Sequence, residues 1–230
     1  LAPLGLYQAR TLVTGTDMRS RPAGFAQCLR DVLVKVSGDP RLAGDPRVAA
    51  LTADAGRFVA GFDYLDRMSG ISRHDDQGSS DRPYFLTVSF DAARIDALLK
   101  DLGAAPWRGP RPVLAPVVFM NGLKTRYLLS AALPQADAPR AALADAGERF
   151  AMPLALPDPD ALGRPLPADR VALPGLLTYS ETDPGWVATW QFGWQGAGYT
   201  WTVRGVSFDE AFRSGVKGAM QIVSGHGAPR

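Results

Sequence analysis

Hydrophobic positions change their spacing several times in the N-terminal part of the chain, which predicts alternating strands and helices. The runs at 6–13 and 83–90 are apolar and rich in β-prone side chains, as strands are. Apolar residues recur at helical spacing from Pro22 onward, and again from about Arg47 to Phe62. The pattern predicts the order β-α-α-β-β-α, with elements at 6–13, 22–36, 47–61, 62–71, 83–90 and 92–102.

The C-terminal part repeats this mixture with longer apolar strands. Aromatic and small residues alternate along 186–194 and 199–204 on either side of a glycine-rich turn, which predicts a β-hairpin with one aromatic face. Ser207 and Glu210 have the spacing of a capping box and predict the start of a final helix. The remaining predicted elements are strands at 113–119, 126–131 and 152–156, a helix at 139–150, and an irregular proline-rich stretch at 157–174.

A cluster of prolines separates the two parts. Pro106, Pro110 and Pro112 stand close together between the last helix of the first part and the first strand of the second. We therefore predict an α+β protein of two small mixed domains, each a short sheet packed by helices. The predicted boundaries are 1–104 for the first domain, 105–112 for a rigid elbow, and 113–230 for the second domain, which ends in the aromatic hairpin and helix.

Composition narrows the class of protein. The 230 residues include 46% hydrophobic ones, which is typical of a folded chain, and 25 basic residues nearly balance 23 acidic ones. A net charge of +2 gives no electrostatic basis for binding nucleic acid, and no apolar run is long enough to span a bilayer. With one cysteine and two histidines, we expect neither a disulfide framework, nor a structural metal site, nor a cofactor.

One short motif has the chemistry of a metal or acid–base site. His74, Asp75 and Asp76 place an imidazole beside two carboxylates, a donor set that binds divalent ions. The motif lies in the polar stretch 72–82, which the pattern predicts to be the tip of a hairpin. The alternative interpretation, which we favour, is a solvated loop without a ligand. Cys28 falls beside the apolar stripe of the first helix and is expected to be a buried structural thiol.

The aromatic hairpin offers a second candidate site. Trp186, Trp190 and Trp194 share one face of the first strand, and Trp201 lies on the second. They could form an exposed platform for a glycan, a lipid or a peptide, or a core face packed against the last helix. The core interpretation is favoured because tryptophan buries so much surface. Trp186, at the open end of the hairpin, is the one we expect to be most exposed.

Several short blocks resemble a known family. The blocks are Val32 to Gly38, Val88 to Asp91, Trp107 with Arg111 to Leu114, and Trp190, Trp201 and Gly205 to Ser207. Together they resemble the proteobacterial family of exported proteins called domain of unknown function 2066. A weaker likeness, in element order alone, is to the periplasmic domains of the TolB amino-terminal and CsgG-like types. The resemblance implies an envelope protein and assigns no catalytic residue.

These observations predict a non-catalytic accessory protein of the periplasm, which binds a protein partner or an apolar or glycan ligand of the cell envelope. The chain starts at Leu1 and not at methionine, so we expect export with removal of a signal peptide. Two alternatives stay open. One is a carrier of a lipid or other apolar ligand between the two domains, and the other is a metal-assisted enzyme that uses the His74 loop.

Overall fold

A computed structural model describes residues 2–67, 83–161, 163–182 and 184–229 of the chain. It divides into two compact units, Leu1–Trp107 and Arg108–Arg230, and the break falls inside the stretch predicted to be the elbow. Helices and sheets occur in both units, which confirms the predicted α+β class. Within the described residues, no helix is long and apolar enough to cross a membrane.

The sheet of the first unit has three antiparallel strands. They are β1 (Gln8–Thr14), β2 (Val59–Asp66) and β3 (Pro83–Phe90), and β3 lies between the other two. Its central position brings Phe85 opposite Leu12 of β1 on one side and opposite Leu65 of β2 on the other. Consequently β1 and β2 are the two edge strands of this sheet, among the residues that the structure describes.

The unit has three helices, of which the first packs on one face of that sheet. They are α1 (Arg21–Ser37), α2 (Pro46–Leu51) and α3 (Ala92–Asp101). Leu29, Leu33 and Ile95 are fully buried, because the apolar stripes of α1 and α3 point inward. Asp91 caps α3: its carboxylate accepts a hydrogen bond of 2.9 Å from the Arg94 N–H.

The second predicted helix is shorter than its apolar stripe suggested. It ends at Leu51 and gives way to a 3-10 segment, Thr52–Phe58, in which Asp54 leaves helical geometry. Thr, Asp and Gly are poor helix formers, so the stretch gains little from remaining helical. Val59, expected near the end of that helix, lies instead in β2 together with Phe62, and β2 pairs with β3.

The sheet of the second unit has five strands in the order β5-β4-β6-β7-β8. They are β4 (Val113–Asn121), β5 (Arg126–Leu128), β6 (Arg170–Ser180), β7 (Gly185–Trp194) and β8 (Ala197–Val206). Only β4 and β6 run parallel among these described strands. The helices are α4 (Asp137–Phe150) and α5 (Phe208–Val223), and α5 packs on β7.

Three predictions for the second unit need correction. The stretch expected to be irregular ends in β6, the central strand, because β6 finds partners on both sides, β4 and β7. The strand expected at 152–156 is a single bridge between Leu154 and Leu114. The strand expected at 126–131 is β5, which ends at Leu128.

Candidate functional site

The first candidate site from the sequence is the metal or acid–base motif at 74–76. His74, Asp75 and Asp76 lie outside the residues that the structure describes. Among the described residues, no group of three or more His, Cys, Asp or Glu side chains is placed to hold a metal ion. Cys28 is buried in α1, as expected.

The aromatic face of the hairpin is mostly core, so the platform interpretation is wrong for two of its four tryptophans. Trp190 is 0% exposed and Trp201 is 5% exposed. The Trp190 indole N–H donates to the Ala211 carbonyl and to Ser214 Oγ, at 3.1 Å each. The Trp201 indole N–H donates to the Ser214 carbonyl, also at 3.1 Å. Both indoles are therefore fixed against α5.

The other two tryptophans are half-buried and lie at opposite ends of β7. Trp186 makes edge-to-face contacts with Tyr179 and Phe208, each with ring centroids 5.5 Å apart. Trp194 stacks on Phe192 at 6.1 Å. Because the buried Trp190 separates them, Trp186 and Trp194 do not form one continuous surface.

A groove that the sequence did not reveal lies in the first unit, between the edge of β1 and the start of α1. Its volume is about 320 Å³. One wall is residues 11–14 of β1, and the other is formed by Ser20, Ala23, Gly24 and Gln27. Small side chains in the helix wall leave the space open, and Ser20 and Gln27 provide polar groups within it.

Gly24 sets the depth of this groove. A Cβ atom at Gly24 would lie 2.5 Å from Leu86 Cδ2 and 3.1 Å from Val13 Cγ1. Leu86 is fully buried and has little room to move. Only glycine therefore lets α1 approach the sheet this closely, and the approach leaves β1 and α1 as facing walls.

The direction of the backbone groups in β1 follows from one hydrogen bond. The Phe90 N–H donates to the Tyr7 carbonyl at 2.9 Å, so Tyr7 faces β3. In an antiparallel pair, successive residues face alternately toward and away from the partner strand. Gln8, Arg10, Leu12 and Thr14 therefore direct their backbone groups away from β3, toward the groove side.

The outward backbone groups of Gln8 are already satisfied. Its N–H donates to the Gly5 carbonyl at 3.1 Å, and its carbonyl accepts from Lys35 Nζ at 2.7 Å. Lys35 is only 1% exposed, so this contact closes the beginning of the edge. At Leu12 the edge is open: among the described residues, none pairs with its N–H or its carbonyl.

The turn that ends this edge is also ordered by hydrogen bonds. Gly15 has a φ of 76°, where the chain leaves β1. Beyond it, the Asp17 carboxylate accepts from the N–H groups of Ser20 and Arg19, at 3.0 and 2.8 Å. The Ser20 bond first, and then the Arg19 bond, lower the pKa of Asp17 below its usual 3.8, so this carboxylate is charged at neutral pH.

On the face of the sheet opposite the helices, an apolar row leads to the same edge. Leu12, Phe85 and Leu65 lie side by side across β1, β3 and β2. Leu12 is 49% exposed and Leu65 is 47% exposed. Leu12 therefore combines an exposed apolar side chain with backbone groups that no described residue pairs with.

Sequence reasoning missed this site because its defining property is topological. The alternation in β1 predicts a strand, and it does not indicate which neighbour the strand has. The edge position of β1 arises because β3, and not β2, lies in the middle of the sheet. The available signal was the pair of small residues Ala23 and Gly24 at the start of a helix next to a strand.

Comparison with known proteins matches the unit that carries the groove. A family model described as a domain of unknown function (DUF8605) matches residues 3–108. No curated protein and no solved structure matches the chain. The matched residues span the first unit, including β1, α1 and the groove between them.

This match overturns the family resemblance drawn from the sequence. The matching family is DUF8605 and not domain of unknown function 2066, and no curated relative or solved structure supports the TolB or CsgG likeness. The short blocks from Val32 to Ser207 are apolar and capping patterns that any mixed α+β chain can contain. Export to the periplasm stays a prediction without that support.

Proposed function

We propose that this protein acts by binding another polypeptide rather than by catalysis, and that its binding site is the groove beside β1. The observation that carries the proposal is the backbone of Leu12 at the edge of β1, which has no hydrogen-bond partner among the described residues. An extended segment laid along β1 would add a strand to the sheet and exchange main-chain hydrogen bonds with it.

The walls of the groove indicate which side chains such a segment carries. In an added strand, every second side chain points to the helix side of the sheet. There it meets Ala23 and Gly24, whose small size leaves room for side chains such as valine or threonine. Main-chain hydrogen bonds would supply much of the affinity. The alternate side chains that enter the groove would supply the specificity.

Binding of displayed random peptides to the dilute protein tests this proposal. We expect selected peptides to be extended segments with alternating aliphatic residues. Replacing Ala23 with Arg should fill the groove and weaken their binding at least tenfold. Ala23 is exposed on α1 and arginine is a good helix former, so the variant should remain folded.

Ala97→Arg is the matched control, because Ala97 is an exposed alanine on α3 that does not line the groove. Peptides should bind this variant as they bind the parent protein. The proposal is wrong if selection gives no binder, or if the selected peptides bind the Ala23→Arg protein with unchanged affinity.

A further inference from the structure

We infer that the strand that occupies this edge is β1 of a second copy of the same chain, arranged antiparallel about a two-fold axis at Leu12. The inference rests on the proposed function and names its partner. This pairing would join two three-stranded sheets into one sheet of six strands, with both α1 helices on the same face.

The register follows from the direction of the backbone groups. Leu12 faces outward, so two copies related by a two-fold axis can exchange both Leu12 hydrogen bonds, N–H to carbonyl in each direction. Among the described residues, the edge is open at Leu12, in a window bounded by Gln8, whose outward groups are satisfied, and by Gly15, where the chain turns away. Leu12 lies near the middle of that window, so the same window serves both copies.

Charges are compatible with this pairing. When Leu12 lies opposite Leu12 of the second copy, Arg10 lies opposite Thr14, and Thr14 opposite Arg10. No like charges meet across the new pair of strands, although β1 itself contains an arginine. A register shifted by two residues toward the N-terminus would instead bring Arg10 against Arg10.

Apolar contacts on both faces of the joined sheet support the same register. On the open face, the row of Leu65, Phe85 and Leu12 would continue into the same row of the second copy, and each Leu12 would lose its exposure to water. On the helix face, Thr11 and Val13 of the second copy would enter the groove beside Ala23 and Gly24. These are the branched side chains of moderate size that the groove admits.

Engineered cysteines test the two-fold register directly. In a Cys28→Ala background, Leu12→Cys places two thiols on directly opposed residues, whose Cα atoms are about 5.5 Å apart in such a pair. Disulfides form at Cα separations of about 4.4–6.8 Å. We expect Leu12→Cys to give a covalent dimer on non-reducing gels when oxidised glutathione supplies the oxidant.

Thr14→Cys is the matched control in the same strand. Two Thr14 residues would be four positions apart along the paired strands, about 14 Å, which is too far for a disulfide. Mixing Arg10→Cys with Thr14→Cys chains should restore the cross-link, because this register pairs those positions. Equal cross-linking of Leu12→Cys and Thr14→Cys, or none in either, would overturn the inference.

The mass in solution gives a second readout that needs no cysteine. Light scattering should show a particle of twice 24.6 kDa for the parent protein and a monomer for Leu12→Arg, in which two charges would meet at the axis. A parent that stays monomeric at all concentrations would also overturn the inference. If peptides still bound that monomer and lost affinity on Ala23→Arg, the proposed function would stand with a different partner.

Discussion

Glycine residues of α5 and β6 determine how the two buried tryptophans fit in the second unit. A Cβ atom at Gly215 would lie 2.5 Å from Trp190 Cε2, and one at Gly175 would lie 2.5 Å from Trp190 Cζ3. The indole of Trp190 is thus held between a helix and a strand that both lack a side chain at the contact. Likewise, a Cβ atom at Gly218 would lie 2.4 Å from Trp201 Cζ2.

Replacing Gly215 with Ala should therefore destabilise the protein, although alanine is the better helix former. Overpacking of a buried site costs about 1–3 kcal/mol. The Trp190 ring cannot move aside without losing its hydrogen bonds to Ala211 and Ser214. Urea unfolding measures the difference. Gly193→Ala is the control, because no described residue other than its chain neighbours has an atom within 4 Å of a Cβ at Gly193. A Gly215→Ala protein as stable as the parent would show that the indole can shift.

The tryptophans of β7 should differ strongly in how much each contributes to the stability of the protein. Trp190→Ala should reduce the free energy of unfolding by about 3–5 kcal/mol, because a fully buried aromatic side chain is lost. Trp186→Ala should cost roughly 1 kcal/mol, since Trp186 is half-buried. Thermal or urea unfolding compares the two variants. Equal losses would contradict the difference in burial on which this prediction depends.

At the scale of elements, the sequence predicted well where local signals determine structure. The hairpin of β7 and β8 follows its alternating pattern, and Gln195 and Gly196 both have positive φ angles, 50° and 79°, as a two-residue hairpin turn requires. The start of α5 also follows its predicted cap: Ser207 Oγ accepts from the Glu210 N–H at 3.2 Å.

Elements whose existence depends on distant partners were harder to predict. β6 contains Pro174 and follows a proline-rich stretch, so its local pattern indicates a loop. Pro174 is tolerated because the pairing of β6 with β7 begins one residue later, at Gly175. The groove beside β1 was missed for a related reason, since the sheet order that leaves β1 at an edge has no local signature.

The cap of α5 gives a prediction at this scale. Ser207→Ala should reduce stability by about 1 kcal/mol, because the Glu210 N–H loses its acceptor. Ser207→Asp should retain most of the stability, since its carboxylate can accept the same bond and interacts favourably with the helix N-terminus. Unfolding in guanidinium chloride measures both, and a Ser207→Asp protein as unstable as Ser207→Ala would indicate that the serine acts in another way.

On the scale of the whole molecule, the division into units coincides with the family match. The first unit is Leu1–Trp107, and the matched residues are 3–108. This unit has its own set of fully buried apolar side chains: Leu29, Val32, Leu33, Leu86, Val88, Ile95 and Leu99. A core of this kind in about 100 residues is typical of an independently folding domain.

We therefore expect residues 1–107 to fold when produced alone. The fragment should unfold in one cooperative thermal transition, with the far-ultraviolet circular dichroism of a mixed α and β protein. Gly24→Ala in the fragment should lower the transition temperature, because a methyl group would collide with Leu86. A fragment that shows no cooperative transition would mean that the first unit depends on residues after 107.

The parallel pairing of β4 with β6 has a consequence for the synthesis of this protein on the ribosome. β4 leaves the ribosome well before β6 (Arg170–Ser180), the strand with which β4 forms its longest pairing. Until then the nascent chain carries a strand with apolar residues such as Leu114, Val118 and Met120. Among the described residues made by that point, β4 pairs with the short β5 and with Leu154 alone. A chain released before Arg170 should therefore be prone to aggregation and to capture by chaperones. Conversely, β7 and β8 need only their own turn to pair, so they can form their hairpin as soon as both have been made.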